Sequence, residues 1–485
     1  MVVMQNRNRW VMNWDEVAVF DRNAASLGFE EMDLMASAGE SLALEAASMA
    51  GGRDILFLCG PGNNGGDGFA ASCSELLSGS RIDIIASHGS SKTDCSSKAR
   101  QRAGLEVEIH EWPSIPTGKW SLVVDCLLGA GSSGPGTKLR SPISEIVDWA
   151  RGLGLPLLAC DIPTGLGGSD CLVADRTVTF HSLKAGMEAS DCGEVIVSEL
   201  PWTDEVQNCG IGDAHRFPPL LPNSRKGDRG RLLIIGGGPF HGAPILSGIA
   251  AARSGCDLVH VAMPSSAMSR TEWPTSLIPE QLPDSDYLTT DSVEAVMGFI
   301  DSGRTPDALV VGPGLGRKHQ TLEAVKKILE IASFRGIPVV IDADAIASLP
   351  TGTWPESLVG VATPHQGESE RWLGVATASE ALAGFEGEGQ TIVITGPIDE
   401  LTGPEGRRAF ASGGHARMAV GGTGDILAGT IGSLLAQGMP PWPSARLGCA
   451  LLREAGRRAA DEKGPGTLAE DVPVHIAHTL AHWTR

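Results

Sequence analysis

The sequence has no paired cysteine motif, no long apolar run and no surplus of positive charge. Its 10 cysteines are scattered without a C-x-x-C pair, and Cys59, Cys126 and Cys160 fall inside apolar runs typical of buried strands. This distribution favours reduced thiols in the core of a cytoplasmic protein over a disulfide framework or a zinc site.

No apolar stretch is long enough to span a bilayer, and Arg7 and Arg9 precede no apolar segment of signal-peptide length. The formal net charge is −20, which would repel a nucleic-acid backbone or an anionic membrane from most of the surface. We therefore expect a cytoplasmic protein without nucleic-acid or membrane partners. Small anionic ligands can still bind where backbone amides converge.

The chain has 485 residues, and at about 150 residues per domain this length suggests two or three domains or two large α/β units. Apolar runs of strand length alternate with helical or glycine-rich segments in both halves, which predicts parallel sheets covered by helices. The segment 216–223 contains three prolines and interrupts this alternation. We therefore predict one domain over residues 1–215 and another over residues 222–485.

The most informative stretch is Gly421-Gly422-Thr423-Gly424-Asp425, which precedes an apolar helix predicted over residues 426–437. Glycines before a helix N-terminus let backbone amides approach an anion closely. A carboxylate would be repelled there unless it is needed to take a proton, so Asp425 is a candidate general base. The alternative is an ordinary N-cap aspartate after a flexible turn.

In the first half, an apolar strand at 55–59 runs into a glycine-rich loop, and a helix is predicted from Phe69. The glycines formally match G-x-G-x-x-G, yet no acidic residue follows the next strand to hold a ribose, so hydride chemistry is weakly supported. The loop also carries Asn63, Asn64 and Asp67. These three are either site residues or the polar decoration of a turn.

Two later strand ends are also polar: Asp125 precedes a loop at 129–135, and Asp161 and Thr164 follow the strand at 156–160. A further strand is predicted at 105–110. Ligands of parallel sheets bind beyond the carboxyl ends of the strands. Carboxylate, amide and hydroxyl oxygens suit a hard cation such as potassium, and one carboxylate would remain for proton transfer. Each aspartate alone could instead cap its loop.

The motifs Gly60-Pro-Gly-Asn-Asn-Gly-Gly-Asp-Gly, Val124-Asp-Cys-Leu-Leu-Gly-Ala-Gly, Asp161-Ile-Pro-Thr-Gly and Thr179-Phe-His-Ser-Leu-Lys-Ala-Gly together resemble the NAD(P)H-hydrate epimerase family over roughly residues 10–213. The resemblance implies a Rossmann-like fold and interconversion of the R and S forms of hydrated NADH and NADPH. It implies K⁺ at Asn64, Asp125 and Thr164, and proton transfer by Asp161. The implied substrate-binding residues are Asn63, Asn64, Gly65, Gly66, Asp67, Gly129, Ala130, Gly131, Ser132, Ser133, Gly134 and Pro135. Family members usually carry an aspartate where this chain has Gly167.

Over roughly residues 222–482, the strand ends at Gly312-Pro-Gly-Leu-Gly316, Asp342-Ala-Asp344 and Thr363-Pro-His-Gln-Gly-Glu368, together with the stretch 421–425, resemble the ADP- or ATP-dependent NAD(P)H-hydrate dehydratases. Alone, His365 could be an ordinary loop histidine, and the two aspartates could cap a helix. The resemblance implies a ribokinase-like α/β/α fold and an adenine nucleotide, with Mg²⁺, as co-substrate. The implied substrate contacts are Ala243, Gly316, His365 and Asp425. The implied nucleotide contacts are Thr395, Gly396, Gly421, Gly422, Thr423 and Gly424.

One position departs from this pattern: many relatives have Lys-Gly where this chain has Thr395-Gly396, and Arg407, Arg408 or Arg417 are candidate substitutes for the missing cation. Fusion of the two families on one chain occurs in such proteins, so we expect an enzyme that repairs hydrated NADH and NADPH. We also expect this enzyme to form a homo-oligomer. The alternative is a small-molecule kinase of ribokinase-like fold joined to a non-catalytic binding module.

Overall fold

The computed structural model describes residues 11–131, 134–303, 305–377, 387 and 389–485. The predicted site residues Ser132 and Ser133 lie outside these described residues. The chain divides into two compact units, residues 1–206 and 207–485. No helix among the described residues is both long enough and apolar enough to cross a membrane.

The first unit alternates strands and helices. Its helices are α1 (Trp14–Ser26), α2 (Glu31–Ala50), α3 (Asn63–Ser72), α4 (Asp94–Glu106), α5 (Ile143–Arg151) and α6 (Ala189–Cys192). Its strands are β1 (Ile55–Cys59), β2 (Ile82–Ala86), β3 (Ile109–Glu111), β4 (Leu122–Cys126), β5 (Leu157–Cys160), β6 (Arg176–Phe180) and β7 (Glu194–Ser198).

These strands form one parallel sheet in the order β3-β2-β1-β4-β5-β6-β7. Strands β1 and β4 are buried along their whole length, because apolar side chains pack on both faces of the sheet. From β1 the chain adds β2 and β3 toward one edge of the sheet, and it then returns beside β1 as β4 and adds β5, β6 and β7 toward the other edge. The crevice beyond the carboxyl ends of β1 and β4 is therefore the place where such a sheet binds ligands.

Two local predictions for the first unit are wrong. Helix α3 begins at Asn63, six residues before the predicted Phe69, so Asn63, Asn64 and Asp67 lie on its first turns and not on a loop. The early glycines permit close packing: a Cβ at Gly65 would lie 1.9 Å from the Gly60 carbonyl oxygen. The strand predicted at 105–110 is also misplaced, because helix α4 continues through Leu105 to Glu106 and the strand is the shorter β3.

The second unit has a larger sheet. Its helices are α7 (Gly242–Arg253), α8 (Ser265–Ser269), α9 (Asp291–Asp301), α10 (His319–Arg335), α11 (Gln366–Leu373), α12 (Thr423–Ala436), α13 (Pro441–Lys463) and α14 (Val472–Trp483). Its strands are β8 (Arg231–Ile235), β9 (Leu258–Pro264), β10 (Ile278–Leu282), β11 (Ala308–Val311), β12 (Val339–Ile341), β13 (Gly360–Ala362), β14 (Gln390–Ile394), β15 (Asp399–Thr402) and β16 (Arg408–Ala411).

The strand order in this sheet is β10-β9-β8-β11-β12-β13-β14-β15-β16. The pairs from β10 to β14 are parallel, and β15 and β16 extend the sheet as an antiparallel hairpin. The chain changes direction between β8 and β11, which places a second ligand crevice beyond those two strands. Apolar clusters cover both faces of the sheet.

Helix α12 is the central helix of this unit, and all its residues from Ile426 to Ala436 are buried. The predicted apolar stripe is thus only part of its contact surface, since α12 packs on α7, α13 and the strands β8, β11 and β12. Its contact with α7 is especially close, because a Cβ at Gly429 would lie 2.0 Å from the Ser247 carbonyl oxygen. The packing fixes the N-terminus of α12 relative to the sheet.

The boundary between the units, after Val206, lies earlier than the proline-rich segment that the sequence suggested. The intervening residues belong to the second unit because buried Arg446 of α13 binds the Asp213 carboxylate at 2.6 Å and the Gln207 carbonyl at 2.8 Å. Cys209 also donates its backbone N–H to Phe410 of β16. Prolines mark an irregular segment here, whereas side-chain contacts decide to which unit it belongs.

Candidate functional site

The first unit contains a cavity of about 570 Å³ at the crevice beyond β1 and β4. Six of the predicted site residues line it: Asn63, Asn64, Asp67, Gly129, Gly131 and Asp161. Gly65 and Gly66 are buried within α3, and Gly134 and Pro135 are exposed residues that do not border the cavity. The strand ends therefore converge as predicted, although the substrate-binding stretches do not all face the cavity.

The Asp161 carboxylate is held from two sides. Its Oδ2 accepts a hydrogen bond from the Ala130 backbone N–H at 2.8 Å, and its Oδ1 lies 3.0 Å from Lys184 Nζ. Lys184 is itself buried, and its ammonium also donates to Thr179 Oγ1 at 2.9 Å. Asp161 has a φ of 65°, a conformation uncommon for a residue with a side chain. The carboxylate is therefore fixed at the cavity wall.

Two further carboxylates border the same cavity. Desolvation at the cavity wall, followed by the Asp161 carboxylate, raises the pKa of Asp21 to about 7, and Lys184 opposes the shift. Burial, followed by Asp161 and Asp21, raises the pKa of Asp67 well above its usual range. The site thus combines one carboxylate paired with a lysine and two acids that hold protons more readily than usual.

Of the three residues expected to hold potassium, Asp125 and Thr164 are hydrogen-bonded to each other, and Asn64 lines the cavity. Thr164 donates to Asp125 through both its backbone N–H, at 2.8 Å, and its hydroxyl, at 2.9 Å. Burial raises the pKa of Asp125 to about 6, against these hydrogen bonds and one from Leu127. Both amide atoms of the Asn64 side chain are buried without a hydrogen-bond partner among the described residues. Unsatisfied Asn64 and buried, anionic Asp125 fit a bound monovalent cation.

In the second unit, Asp425 lies in the first turn of α12. Burial raises its pKa to about 6, and the neighbouring Asp344 carboxylate adds to the shift. Asp342 is fully buried, so burial and then Asp425 raise its pKa well above the usual range. Asp342 and Asp344, just after β12, are therefore close enough to Asp425 for their charges to influence one another.

Asp344 also connects the other predicted strand ends. Its Oδ2 accepts from the Gly316 backbone N–H at 2.8 Å, and its Oδ1 accepts from Arg317 Nε at 2.7 Å. Arg317 reaches Glu368 Oε1 at 2.9 Å, and His365 Nε2 lies 3.5 Å from that same oxygen. One polar network thus joins Gly316 to His365. His365 additionally caps α11, because its Nδ1 accepts from the Gly367 N–H.

A second crevice of about 500 Å³ lies beyond β8 and β11, as the strand order predicts. Among the predicted substrate contacts, Gly316 lines this crevice, whereas Ala243, His365 and Asp425 do not. Ala243 is linked to Asp425 through Ser247, whose hydroxyl lies 3.3 Å from the Ala243 carbonyl and 2.8 Å from the Asp425 carbonyl. Ser247 therefore ties the first turn of α7 to the first turn of α12.

The glycine-rich turn before α12 leaves room for a ligand. A Cβ at Gly421 or Gly424 would meet nothing within 4 Å, and Gly422 has a φ of 101°. Thr423 folds its hydroxyl back onto the Met418 carbonyl at 2.7 Å. The amides of Gly424 and Asp425 lack helical partners because they belong to the first turn, so they can bind an anion.

Thr395 and Gly396 follow the last residue of β14, beside His365 of the polar network. The Thr395 N–H donates to the Pro364 carbonyl, and Thr395 pairs with His365 as an isolated parallel bridge. Of the arginines considered as substitutes for the missing lysine, Arg407 is buried and Arg417 donates to the Thr467 carbonyl at 2.7 Å. The arginine that contacts Gly396 is instead Arg453 of α13, at 2.6 Å from the Gly396 carbonyl oxygen.

A family model matches each of the two units. The family model described as NAD(P)H-hydrate dehydratase matches residues 232–477, and that described as YjeF-related protein N-terminus matches residues 31–186. The bifunctional NAD(P)H-hydrate repair enzyme of Hyperthermus butylicus is 34% identical over 96% of this chain and 91% of its own length. The chain belongs to the family of bifunctional NAD(P)H-hydrate repair enzymes.

Other members of this repair-enzyme family are similarly close. The Escherichia coli K12 protein is 32% identical over 94% of this chain and 91% of its own length. Among solved structures, the ADP/ATP-dependent NAD(P)H-hydrate dehydratase of Bacillus subtilis, co-crystallised with ATP/Mg²⁺, is 24% identical, with a TM-score of 0.48, over 56% of this chain and 96% of its own length.

The structure shows what surrounds Gly167, the position at which this chain departs from the pattern of the repair-enzyme family. Gly167, which stands where an aspartate is usual, has a φ of 75° and a Cβ there would lie 3.2 Å from the Pro135 side chain. The nearby Asp191 carboxylate accepts a long hydrogen bond, 3.4 Å, from the Gly167 N–H. The chain thus brings a carboxylate to this loop from α6 instead of from the loop itself.

The sequence analysis does not single out three functional candidates that the structure reveals: Asp21, Lys184 and Arg453. Asp21 lies on the amphipathic helix α1, whose sequence contains no recognisable catalytic motif, although its neighbours Phe20 and Ala24 are buried. Lys184 lies within the Thr179 motif, where its charge between apolar residues was the available signal. Arg453 lies in a helix with several other charged residues, and only its burial in the fold reveals its partners.

Proposed function

We propose that this enzyme repairs hydrated NADH and NADPH by two reactions, one in each unit. The first unit interconverts the R and S epimers, and the second unit dehydrates the S epimer while consuming ADP or ATP. The observation that carries the proposal is Asp425, a half-buried carboxylate in the first turn of α12 beside an open glycine-rich turn and near Asp344. A base next to a phosphate-binding turn is what phosphoryl transfer to a substrate hydroxyl requires.

In the second unit, Asp425 takes the proton from the hydroxyl on C6 of the nicotinamide ring. The freed oxygen forms a bond to the terminal phosphorus of the nucleotide, and the bond to the remaining nucleotide breaks. Backbone amides at the start of α12 stabilise the charge on the transferring group. The ring nitrogen then expels phosphate from C6, and loss of a proton from C5 restores the dihydropyridine. The products are NADH or NADPH, inorganic phosphate and the shortened nucleotide.

In the first unit, the substrate hydroxyl must leave C6 and water must return to the other face of the ring. Asp161, held by Lys184 and the Ala130 N–H, is the proposed proton carrier. Asp21 shares the cavity and is the second acid available to protonate the departing hydroxyl. One carboxylate that accepts a proton and one that donates it would serve both directions of the exchange.

Potassium is the cation proposed for the first unit. Asn64, Asp125 and Thr164 would hold it, because they offer amide, carboxylate and hydroxyl oxygens and because the Asn64 amide lacks another partner among the described residues. When bound, the ion supplies positive charge near the anionic substrate. Asp125 then remains a carboxylate, and the Leu128 N–H keeps Thr164 Oγ1 oriented at 3.1 Å.

The nucleotide is proposed to bind between the 421–424 turn and the loop that begins at Thr395 and Gly396. We propose that it binds with Mg²⁺, since a protein with a net charge of −20 offers a di- or triphosphate little general neutralisation. ADP and ATP are both accommodated by this proposal.

We further propose a cytoplasmic location, supported by 10 free cysteines, and a homo-oligomeric state, which rests on the family resemblance alone.

The decisive experiment supplies the S epimer of hydrated NADH with ADP and follows the nicotinamide absorbance, phosphate and AMP. Equal yields of NADH, phosphate and AMP are expected. A stable phosphorylated substrate without NADH would instead identify the second unit as a small-molecule kinase. That alternative is disfavoured because the family match covers both units in the same order.

A further inference from the structure

Helix α13 carries two buried arginines, Arg446 and Arg453, whose residues are 2% and 9% exposed. They are separated by two turns of the helix, and each binds one carboxylate and at least two backbone carbonyls. Buried guanidinium groups seldom occur without such partners, because desolvation of the charge is costly. The two arginines differ in which segment they hold.

Arg453 holds the loop between β14 and β15. Its Nη2 donates to the Gly396 carbonyl at 2.6 Å, its Nη1 donates to the Pro397 carbonyl at 2.8 Å, and its Nε donates to Asp399 Oδ2 at 2.9 Å. The other Asp399 oxygen accepts from the Gly396 N–H at 3.2 Å. The guanidinium and Asp399 thus fix both backbone polar groups of Gly396.

The opposite side of this loop is open. Gly396, Pro397 and Ile398 are exposed, while Asp399 beneath them is buried. Because Asp399 lies 2.6 Å from Arg453 Nη2, the arginine charge is already neutralised within the protein. Arg453 therefore does not replace the missing lysine as a free phosphate-binding cation; its effect on a ligand would pass through the backbone of the loop.

We propose that Arg453 is a positioning residue for nucleotide binding, which fixes the Thr395-Gly396 loop in the conformation that receives ADP. The inference rests on the proposed dehydratase function and adds to it a residue outside the predicted nucleotide contacts. The backbone of this loop, held rigid by Arg453 and Asp399, compensates in part for the lysine that many relatives carry where this chain has Thr395. A loop displaced by about 1 Å can lower the efficiency of a site about 10²-fold, so the anchoring is functionally significant.

Arg446 provides a matched control in the same helix. Its Nε donates to Asp213 Oδ1 at 2.6 Å, its Nη1 to the Gln207 carbonyl at 2.8 Å and its Nη2 to the Asn208 carbonyl at 3.0 Å. These partners belong to the segment before β8, which contains none of the candidate site residues. Replacement of either arginine by lysine removes a similar set of buried hydrogen bonds, but only one replacement releases the loop at Gly396.

The experiment uses the full-length chain with Arg453→Lys or Arg446→Lys. We would measure ADP affinity by calorimetry, KM for ADP and kcat with the S epimer, and the melting temperature. Both variants are expected to melt at lower temperature. Arg453→Lys should weaken ADP binding and raise its KM about 10- to 100-fold, with a much smaller change in kcat, whereas Arg446→Lys should leave both ADP parameters within about twofold of wild type.

An ADP affinity in Arg453→Lys equal to that of Arg446→Lys would overturn the inference, even if the wild-type enzyme dehydrates the S epimer as proposed. Asp399→Asn, which keeps the side-chain shape, provides a second route should Arg453→Lys not fold, and it is also expected to weaken ADP binding. Wild-type protein that binds no ADP would contradict both the inference and the proposed function. Wild-type turnover with an unchanged Arg453→Lys affinity would contradict the inference alone.

Discussion

Lys184 Nζ lies 3.0 Å from Asp161 Oδ1, and the lysine side chain is buried beneath the cavity of the first unit. The ammonium also donates to the hydroxyl of Thr179 and to the Phe180 carbonyl oxygen. A buried ion pair of this kind orients the carboxylate, so that Asp161 Oδ2 accepts the hydrogen bond from the Ala130 N–H. Loss of the lysine would therefore leave Asp161 as a partly uncompensated charge.

Lys184→Met is expected to lower the epimerisation rate about 10²-fold or more, because general acid–base contributions of this size depend on a correctly held carboxylate. The measurement is the rate of R to S conversion followed by chromatography of the two epimers. Lys119→Met, a change at an exposed lysine of the same unit, should leave this rate unchanged. An equal rate in both variants would remove Lys184 from the site.

Dehydration should depend on pH through Asp425. Its pKa is raised to about 6, and a base must be deprotonated, so kcat/KM for the S epimer should fall below about pH 6 and reach a plateau above it. The Asp344 carboxylate contributes to that shift, so Asp344→Asn should move the acidic limb to lower pH. The pH–rate profiles of the two enzymes provide the test. An acidic limb that stays in place, or moves upward, would contradict the electrostatic coupling.

Potassium should stabilise and activate the first unit. Replacement of K⁺ by tetramethylammonium should slow epimerisation and lower the melting temperature, because Asn64 and buried Asp125 would lose their proposed partner. In Asp125→Asn both parameters should become nearly independent of K⁺. Sodium and lithium salts at the same ionic strength control for screening. A wild-type protein indifferent to K⁺ in both measurements would return these residues to a purely structural role.

Much of the fold was readable from the sequence because parallel strands are short apolar runs with polar or glycine-rich ends. That pattern placed Asp125, Asp161 and Asp425 at strand ends or helix starts that the structure confirms. It failed where glycine serves packing. The glycines at the start of α3 predict a loop, although Gly65 is required by close approach to the Gly60 carbonyl within a helix.

Charged residues on helices were the other source of error. Asp21 and Arg453 each lie on a helix that carries several charged residues, a pattern that usually indicates solvent-facing positions. Their surroundings depend on distant segments: Asp161 and Lys184 influence Asp21, and Asp399 binds Arg453. The location of the unit boundary has the same origin, since the contact between Arg446 and Asp213 spans more than two hundred residues of sequence.

The boundary after Val206 predicts how the chain can be divided. A fragment of residues 207–485 should melt at a higher temperature than one of residues 222–485, because the shorter fragment removes the Asp213 partner of buried Arg446 and leaves that charge unpaired. Differential scanning calorimetry of the two fragments measures this. Equal melting temperatures would show that residues 207–221 do not stabilise the second unit.

The most direct test of the two-reaction assignment compares three full-length proteins on an equal mixture of R and S hydrated NADH with excess ADP. Wild type should restore nicotinamide absorbance completely. Asp161→Asn should stop rapidly at the S fraction and continue only at the rate of spontaneous epimerisation, while Asp425→Asn should restore almost none, about 10²- to 10⁴-fold more slowly. Rapid and complete recovery with Asp161→Asn, or wild-type turnover with Asp425→Asn, would contradict the assignment.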